Sequence, residues 1–331
     1  MPQCCSQGCA ISDTDRPRTR PRLRRPSVRA WSGLLLVAAL IAGCAPGPLP
    51  TGRTNATNGP SAAPAPSVVV SGGTAALSAA PIVTPVPTPA ALHAGCPTTT
   101  VNNRPSSGQR SLHAVTTNWS GYVARSTRSF SCIEGSWTQP VVSCPANGSA
   151  SLAMWIGLDG ESGPSRATLE QIGTNIDCVA GHARSFAWFE VLPADRFEQE
   201  LTLPVDAGDK IAASIAVVGR SYKMVIENLS TGDVVDTFQH APGAKRLTAE
   251  WVVEAPTVGC PGDCQVALLA SFGTVSFSAA RVVLAGVTGP IGDGRWTRVR
   301  LDLESRSGIV KAKPGALAKD GASFAVVWHH R

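Results

Sequence analysis

Through residues 111–331, apolar and polar positions alternate with a spacing of two, the pattern of strands that turn one face to a core. Lys210–Val218 places Ile211, Ala213, Ile215 and Val217 on one face. Gly219-Arg220 turns the chain into Ser221–Leu229, with Tyr222, Met224 and Ile226 alternating, and Thr231-Gly232-Asp233 turns it again into Val234–Phe238. Further strands are predicted at Ala267–Phe272, Thr274–Phe277, Arg295–Leu301 and Ala322–Trp328. Helical periodicity is hard to find, and no internal repeat is visible. Many strands with short Gly-rich turns predict an antiparallel sandwich or barrel.

Four more segments carry polar chemistry on one of their faces. In Ser151–Gly160, Trp155, Gly157 and Asp159 are co-facial and Met154, Ile156 and Leu158 oppose them. Ser185–Pro193 puts Phe186, Trp188 and Glu190 together. Thr248–Pro256 aligns Glu250, Val252 and Glu254 against Trp251 and Val253, and Thr168–Gly173 pairs Leu169 with Gln171, Glu170 opposite. Taken singly, each polar residue reads as part of a solvated outer face. Trp155 and Trp188 beside acids point instead to a groove, because an exposed Trp usually has something to bind. Glu250 and Glu254 are four residues apart, about 13 Å along a strand. That is too far for the close carboxylate pair of a retaining glycosidase, so a catalytic partner of Glu254 must come from another strand.

The N-terminal third differs in composition. Residues 1–110 hold ten Arg against two Asp, a net of +8, while residues 111–331 hold nineteen Lys/Arg against twenty-one Asp/Glu, a net of −2. The basicity belongs to the leader, so a nucleic-acid partner is not expected. Arg16 to Arg29 form a positive region, followed by an uncharged stretch from Ala30 to Gly43 that is too short to span a bilayer and suits a secretory leader. It ends in Ile41-Ala42-Gly43-Cys44, which resembles a bacterial lipobox, with Cys44 as the lipidation site. The expected organisation is an export leader over 1–44, a Pro/Ala/Ser-rich disordered stalk over 45–110, and one folded domain over 111–331. Such a chain would sit on the extracellular face of the cell envelope, held to the membrane through an N-terminal lipid anchor, or be secreted.

Cys96, Cys132, Cys144, Cys178, Cys260 and Cys264 remain after the leader, and an even count in an exported chain favours disulfides. Cys260 with Cys264 makes a local staple. Cys132 with Cys144 could bridge neighbouring strands, which leaves Cys96 with Cys178 by elimination. No His stands at ligand spacing beside any pair, and no metal or cofactor is expected. HExxH and GxSxG are both missing, as are paired Asp-Thr/Ser-Gly loops.

The ordered segments Asn118-Trp119-Ser120-Gly121-Tyr122, Gly135-Ser136-Trp137-Thr138-Gln139-Pro140, Trp155-Ile156-Gly157-Leu158-Asp159-Gly160, Leu169-Glu170-Gln171-Ile172-Gly173-Thr174, Ala187-Trp188-Phe189-Glu190, Gly208-Asp209, Ala249-Glu250-Trp251-Val252-Val253-Glu254 and Phe272-Gly273-Thr274-Val275 carry a resemblance. The body resembles a glutamic peptidase of the eqolisin family, in its bacterial form, over roughly 115–331. The resemblance implies a lectin-like (concanavalin-like) antiparallel β-sandwich of two large sheets. It implies an endopeptidase acting on polypeptides as a monomer, with Gln171 and Glu254 as the catalytic pair. Trp155, Asp159 and Glu190 match groove-lining positions, and Trp188 joins them as a substrate contact. Glu254 would act as general base on water and Gln171 would hold the oxyanion, with activity at acid pH. Phe186 stands where fungal members carry an acid, which argues against a strongly acidic range, and Phe189 stands where the family often has Tyr. The competing class is a non-catalytic carbohydrate- or peptide-binding sandwich, in which Trp155 and Trp188 stack on ligand.

Overall fold

The structure, a computed structural model, describes residues 93–97, 100–101, 110–161, 168–195, 197–260 and 262–331. All belong to one of two compact units of the chain. The leader and the stalk up to residue 92, with Cys44, lie outside the described residues. Among those described there is no helix. The strands are β1 (Thr100–Val101), β2 (Ser111–Thr116), β3 (Trp119–Arg125), β4 (Phe130–Thr138), β5 (Ser149–Asp159), β6 (Leu169–Val179), β7 (His182–Leu192), β8 (Gln199–Leu201), β9 (Lys210–Val218) and β10 (Ser221–Asn228). They continue with β11 (Asp233–Gln239), β12 (Thr248–Glu254), β13 (Thr257–Val258), β14 (Gln265–Val266), β15 (Thr274–Leu284), β16 (Val287–Pro290), β17 (Thr297–Glu304), β18 (Val310–Pro314) and β19 (Phe324–Trp328).

Hydrogen-bonded neighbours define two layers. One runs β8-β7-β6-β5-β12-β3-β17-β2. The other runs β11-β10-β9-β4-β15, with β16 and β19 beside β15. β18 pairs with both β17 and β19 and joins the layers at one edge. Pairing is antiparallel except β17 with β2 and β1 with β16. The fold is the expected antiparallel β-sandwich.

The main core fills the space between layers. Met154, Ile156, Leu158, Trp251 and Val253 from the first meet Ile133, Ile211, Ile215, Met224 and Phe277 from the second. The predicted parity therefore holds on β5 and β12. Polar cross-ties fix the layers in register: Trp251 Nε1 donates to the Glu134 carbonyl at 2.8 Å, and Trp137 Nε1 donates to Thr174 Oγ1 at 2.9 Å. Gly135 makes the first tie possible, since a Cβ there would stand 2.8 Å from the Trp251 ring.

Two sequence expectations change. Ala267–Phe272 is not a strand: Leu268 is exposed, and the backbone bonds go singly to Pro256, Ser151 and Ser143 rather than to a ladder. The disulfides are Cys96–Cys132, Cys144–Cys178 and Cys260–Cys264, so the two pairings Cys132–Cys144 and Cys96–Cys178 are corrected. Cys132 points away from the main core, into a small cluster with Ala216 and Val283, whereas Cys178 is buried between the layers with Cys144 packed against that core. Cys132 and Cys96 lie in the outer cluster and Cys178 and Cys144 at the main core, so a bridge between the two sets would have to cross a layer, beyond a cystine's reach. Lastly, residues 93–97 and 100–101 reach the sandwich. Ala94 N donates to Glu227 Oε2 at 3.0 Å, Gly95 N to Ser214 Oγ at 3.0 Å and Cys96 N to Glu134 Oε2 at 2.6 Å. Composition does not register a tether of this kind, made by backbone bonds and one cystine.

Candidate active site

The outer face of the first layer is not bare. Trp119, Val123, Ala153, Trp155, Leu169, Phe186, Trp188, Val252 and Leu301 form a second apolar cluster on it. A cavity of about 280 Å³ opens on this face, with Gln171, Glu190, Glu254 and Trp188 among its lining residues. Their convergence follows from register. Gln171 lies opposite Glu190 on β7 and Gly157 on β5, while Glu254 lies opposite Ala153 on β5.

Glu254 ends β12, and both its oxygens are held by neutral donors. Asn118 Nδ2 donates to Oε1 at 3.0 Å, and Trp155 Nε1 donates to Oε2 at 2.8 Å. Burial pushes the Glu254 carboxyl up to about 7, against the pull of the Trp155, Trp119 and Asn118 donors. The Trp119 indole acts through proximity, because its Nε1 does not meet hydrogen-bond geometry with any described group. Trp155 fits because the strand beside it is thinned by glycine: a Cβ on Gly173 would lie 2.5 Å from the Trp155 Cβ, and one on Gly157 would lie 2.9 Å from its Cζ3. Trp119 packs edge-on against it, ring centroids 4.9 Å apart.

Gln171 Nε2 donates to Glu190 Oε2 at 2.6 Å, which fixes the amide's orientation, and Gln171 Oε1 has no partner among the described residues. The Glu190 carboxyl is also raised to about 7, by burial first and then by the charges of Glu254 and Glu198. When Glu254 is ionised, its negative charge helps to hold the proton on Glu190.

Not every expected groove residue is there. Asp159 is fully buried, and its carboxylate accepts from the backbone N–H of Lys245, Arg246 and Leu247 at 2.7–2.9 Å and from Thr168 Oγ1 at 3.1 Å. It organises the segment entering β12 and does not line the cavity. Trp155 is likewise buried beneath the cavity: its polar end serves Glu254, and the expected exposed stacking surface is absent. Glu250, co-facial with Glu254 as expected, is fully buried, with neither carboxyl oxygen partnered among the described residues. Sequence reading gave no role to Asn118, although it quoted the Asn-Trp-Ser-Gly-Tyr segment that contains it; a small amide just before a strand had no other signal.

A β-sandwich whose outer face sets two raised carboxyl groups beside a primary amide is the equipment of an acid–base hydrolase. The sequence model of the Peptidase A4 family matches residues 117–306, more than half of the chain. The chain belongs to that family and is a glutamic-type peptidase. Scytalido-glutamic peptidase, crystallised with a transition state analog inhibitor, is similar to it with a TM-score of 0.56 at 20% identity, covering 64% of this chain and 98% of that one. SCP-B, a member of the Eqolisin family of peptidases in a complex with the tripeptide Ala-Ile-His, gives a TM-score of 0.52 at 20% identity over 64% of this chain and 98% of that one. At that identity, the likeness concerns the fold. No curated protein matches the chain in sequence.

Proposed function

We propose that this chain is an endopeptidase in which Glu254 and Gln171 carry the chemistry. The observation that supports this most directly is the Glu254 carboxylate, fixed through both oxygens by Asn118 and Trp155 at a cavity that Gln171 also lines. An amide carbonyl resists water, so the water must lose a proton as it attacks. Ionised Glu254 takes that proton, the water oxygen bonds to the carbonyl carbon, and the carbonyl oxygen becomes an oxyanion. Gln171 has two N–H bonds, one engaged by Glu190 and the other able to donate to the oxyanion. The protonated Glu254 then returns its proton to the leaving nitrogen as the C–N bond breaks. Gln171 Oε1, without a partner among the described residues, accepts the water's second hydrogen.

The working range follows from the same pair. Activity falls on the acid side as Glu254 takes up a proton, and carboxyl groups raised to about 7 put that limb at weakly acid pH rather than strongly acid pH. The test is digestion of a denatured protein across acid pH by wild type, Glu254→Gln and Gln171→Glu. Both variants should drop to near background while remaining folded. A Glu254→Gln variant that digests at the wild-type rate removes Glu254 from the mechanism.

We also propose export, a lipid anchor at Cys44 and a working domain that begins near His93 in place of Ser111. The Arg-rich leader with its Ile-Ala-Gly-Cys ending supports the first two. The Cys96–Cys132 bridge supports the third, and three disulfides fit an oxidising compartment.

A further inference from the structure

The first layer ends in a basic edge that the chemistry above leaves unused. β2 is its outermost strand and pairs with β17, and β18 pairs with the far end of β17. By alternation, Arg298, Arg300, Asp302 and Glu304 share one face of β17, and Lys311 and Lys313 share one face of β18. His113 stands opposite Arg300 on β2.

Asp302 is buried, and three basic groups close on it: Arg300 Nε at 3.1 Å, His113 Nε2 at 3.1 Å and Lys313 Nζ at 3.2 Å. These partners are 31%, 52% and 44% exposed, so they stand at the surface around a single carboxylate. The Arg298 guanidinium lies beside them, 6.0 Å over the Tyr122 ring, and exposed Arg110 leads into β2. Arg298, Arg300, Lys311 and Lys313 face Asp302 and Glu304, four cations to two acids, in a domain whose net charge over 111–331 is −2. A network serving stability alone would match its charges, since exposed ion pairs contribute little each. An independent sign of a missing anion is Lys311. It is buried, and it makes no hydrogen bond or ion pair with a described residue. Burial lowers its ammonium from the usual lysine value, and no carboxylate draws it back. A buried ammonium of that kind calls for an acceptor.

We propose that this edge docks on an anionic phospholipid bilayer, with Arg298, Arg300, Lys311 and Lys313 meeting headgroup phosphates. The choice of a bilayer rests on the Cys44 anchor proposed above, which would hold the domain at a membrane surface. The 48 residues from Ala45 to Leu92 can span up to about 160 Å, enough for any edge of the domain to reach that surface. A tethered domain needs only a weak attraction to settle there, because the tether keeps its local concentration high. Each basic side chain at an anionic surface tightens binding about fivefold. Strands β12 and β3 separate the β17–β2 edge from the cavity strands β5, β6 and β7, so docking by this edge leaves the cavity open to substrate.

The test uses the chain from Ala45 onward, without lipid, which keeps every described residue. Its binding is measured by sedimentation with vesicles of phosphatidylcholine, with and without phosphatidylglycerol. Binding should be at least about tenfold tighter to the anionic vesicles and should fade at about 0.5 M salt. Arg298→Gln with Lys313→Gln should weaken it about thirtyfold. Lys210→Gln with Arg220→Gln, which removes the same charge from exposed sites on the second layer, should change it by less than about threefold. Where the first double variant does not fold, as read by thermal unfolding, Lys313→Gln alone should weaken binding about fivefold. Equal binding to both kinds of vesicle, or equal weakening by the two double variants, overturns the inference. Binding to polyglutamate without binding to the anionic vesicles overturns it too, and gives the edge to acidic polypeptides. The protein in this assay carries no lipid, so a failed edge and a failed Cys44 anchor are read separately.

Discussion

Trp155→Phe removes a single polar contact from the site, the 2.8 Å bond from the indole Nε1 to Glu254 Oε2. A hydrogen bond to a charged group is worth about 1.5–3 kcal/mol and one to a neutral group about 0.5–1.5 kcal/mol. The difference, about 1–1.5 kcal/mol, is the bias this contact gives to the ionised carboxylate. At about 1.4 kcal/mol per pKa unit, its loss should move Glu254 up by about one unit from about 7. The assay is kcat/KM on a soluble peptide across pH. On the acid limb, where rate follows the ionised fraction, the variant should be about tenfold slower at any one pH, and above the limb the two enzymes should converge. Packing is read separately: Phe keeps an aromatic edge against Trp119, and the lost volume should cost about 1–3 kcal/mol of thermal stability. If the rate falls equally at every pH with no movement of the limb, Trp155 only fills space. If the limb moves to lower pH, the sign of the argument is wrong.

Glu250 and Glu170 are buried carboxyls held above their usual values by desolvation, Glu170 to about 9, so both favour the folded state while protonated. That stability is complete below about pH 4.3 and is lost as pH rises through the folded values, at up to about 1.4 kcal/mol per pH unit for each group. Glu250→Gln should therefore flatten the fall of Tm on the alkaline side, and an unchanged slope would refute the assignment. Breaking the Cys96–Cys132 bridge, which spans 36 residues, should cost about 4 kcal/mol in denaturant unfolding and leave kcat/KM nearly intact, because the bridge lies on the layer away from the cavity. A loss of activity at full folding would place the tether in the site. Labelling with a palmitate analogue should mark the wild type and spare Cys44→Ala, and label on the variant would sink the anchor.

Alternation by two was enough to assign faces on β5, β6, β7 and β12, because a strand's side-chain period is fixed by its backbone whatever surrounds it. It placed Gln171 with Leu169 and Glu254 with Glu250 before any partner strand was known, and the motif order then singled out the pair. What covers a face is another matter, since that depends on strands distant in sequence. Alternation predicts an exposed stacking surface at Trp155, but Trp119 packs against it, the glycines of β5 and β6 make room for it, and its N–H meets Glu254. The motif predicts a groove acid at Asp159, but the backbone before β12 folds over it and donates to both oxygens. The local Cys260–Cys264 staple forms as spacing predicts, but the two long-range pairings differ for the same reason: a distant cysteine's partner is set by which side of which sheet it faces, and spacing along the chain carries no record of that. Asn118 becomes visible only once the fold brings it within reach of Glu254. Local periodicity belongs to the sequence, whereas burial, charge environment and partnership arise from long-range pairing and exist only in the folded sandwich.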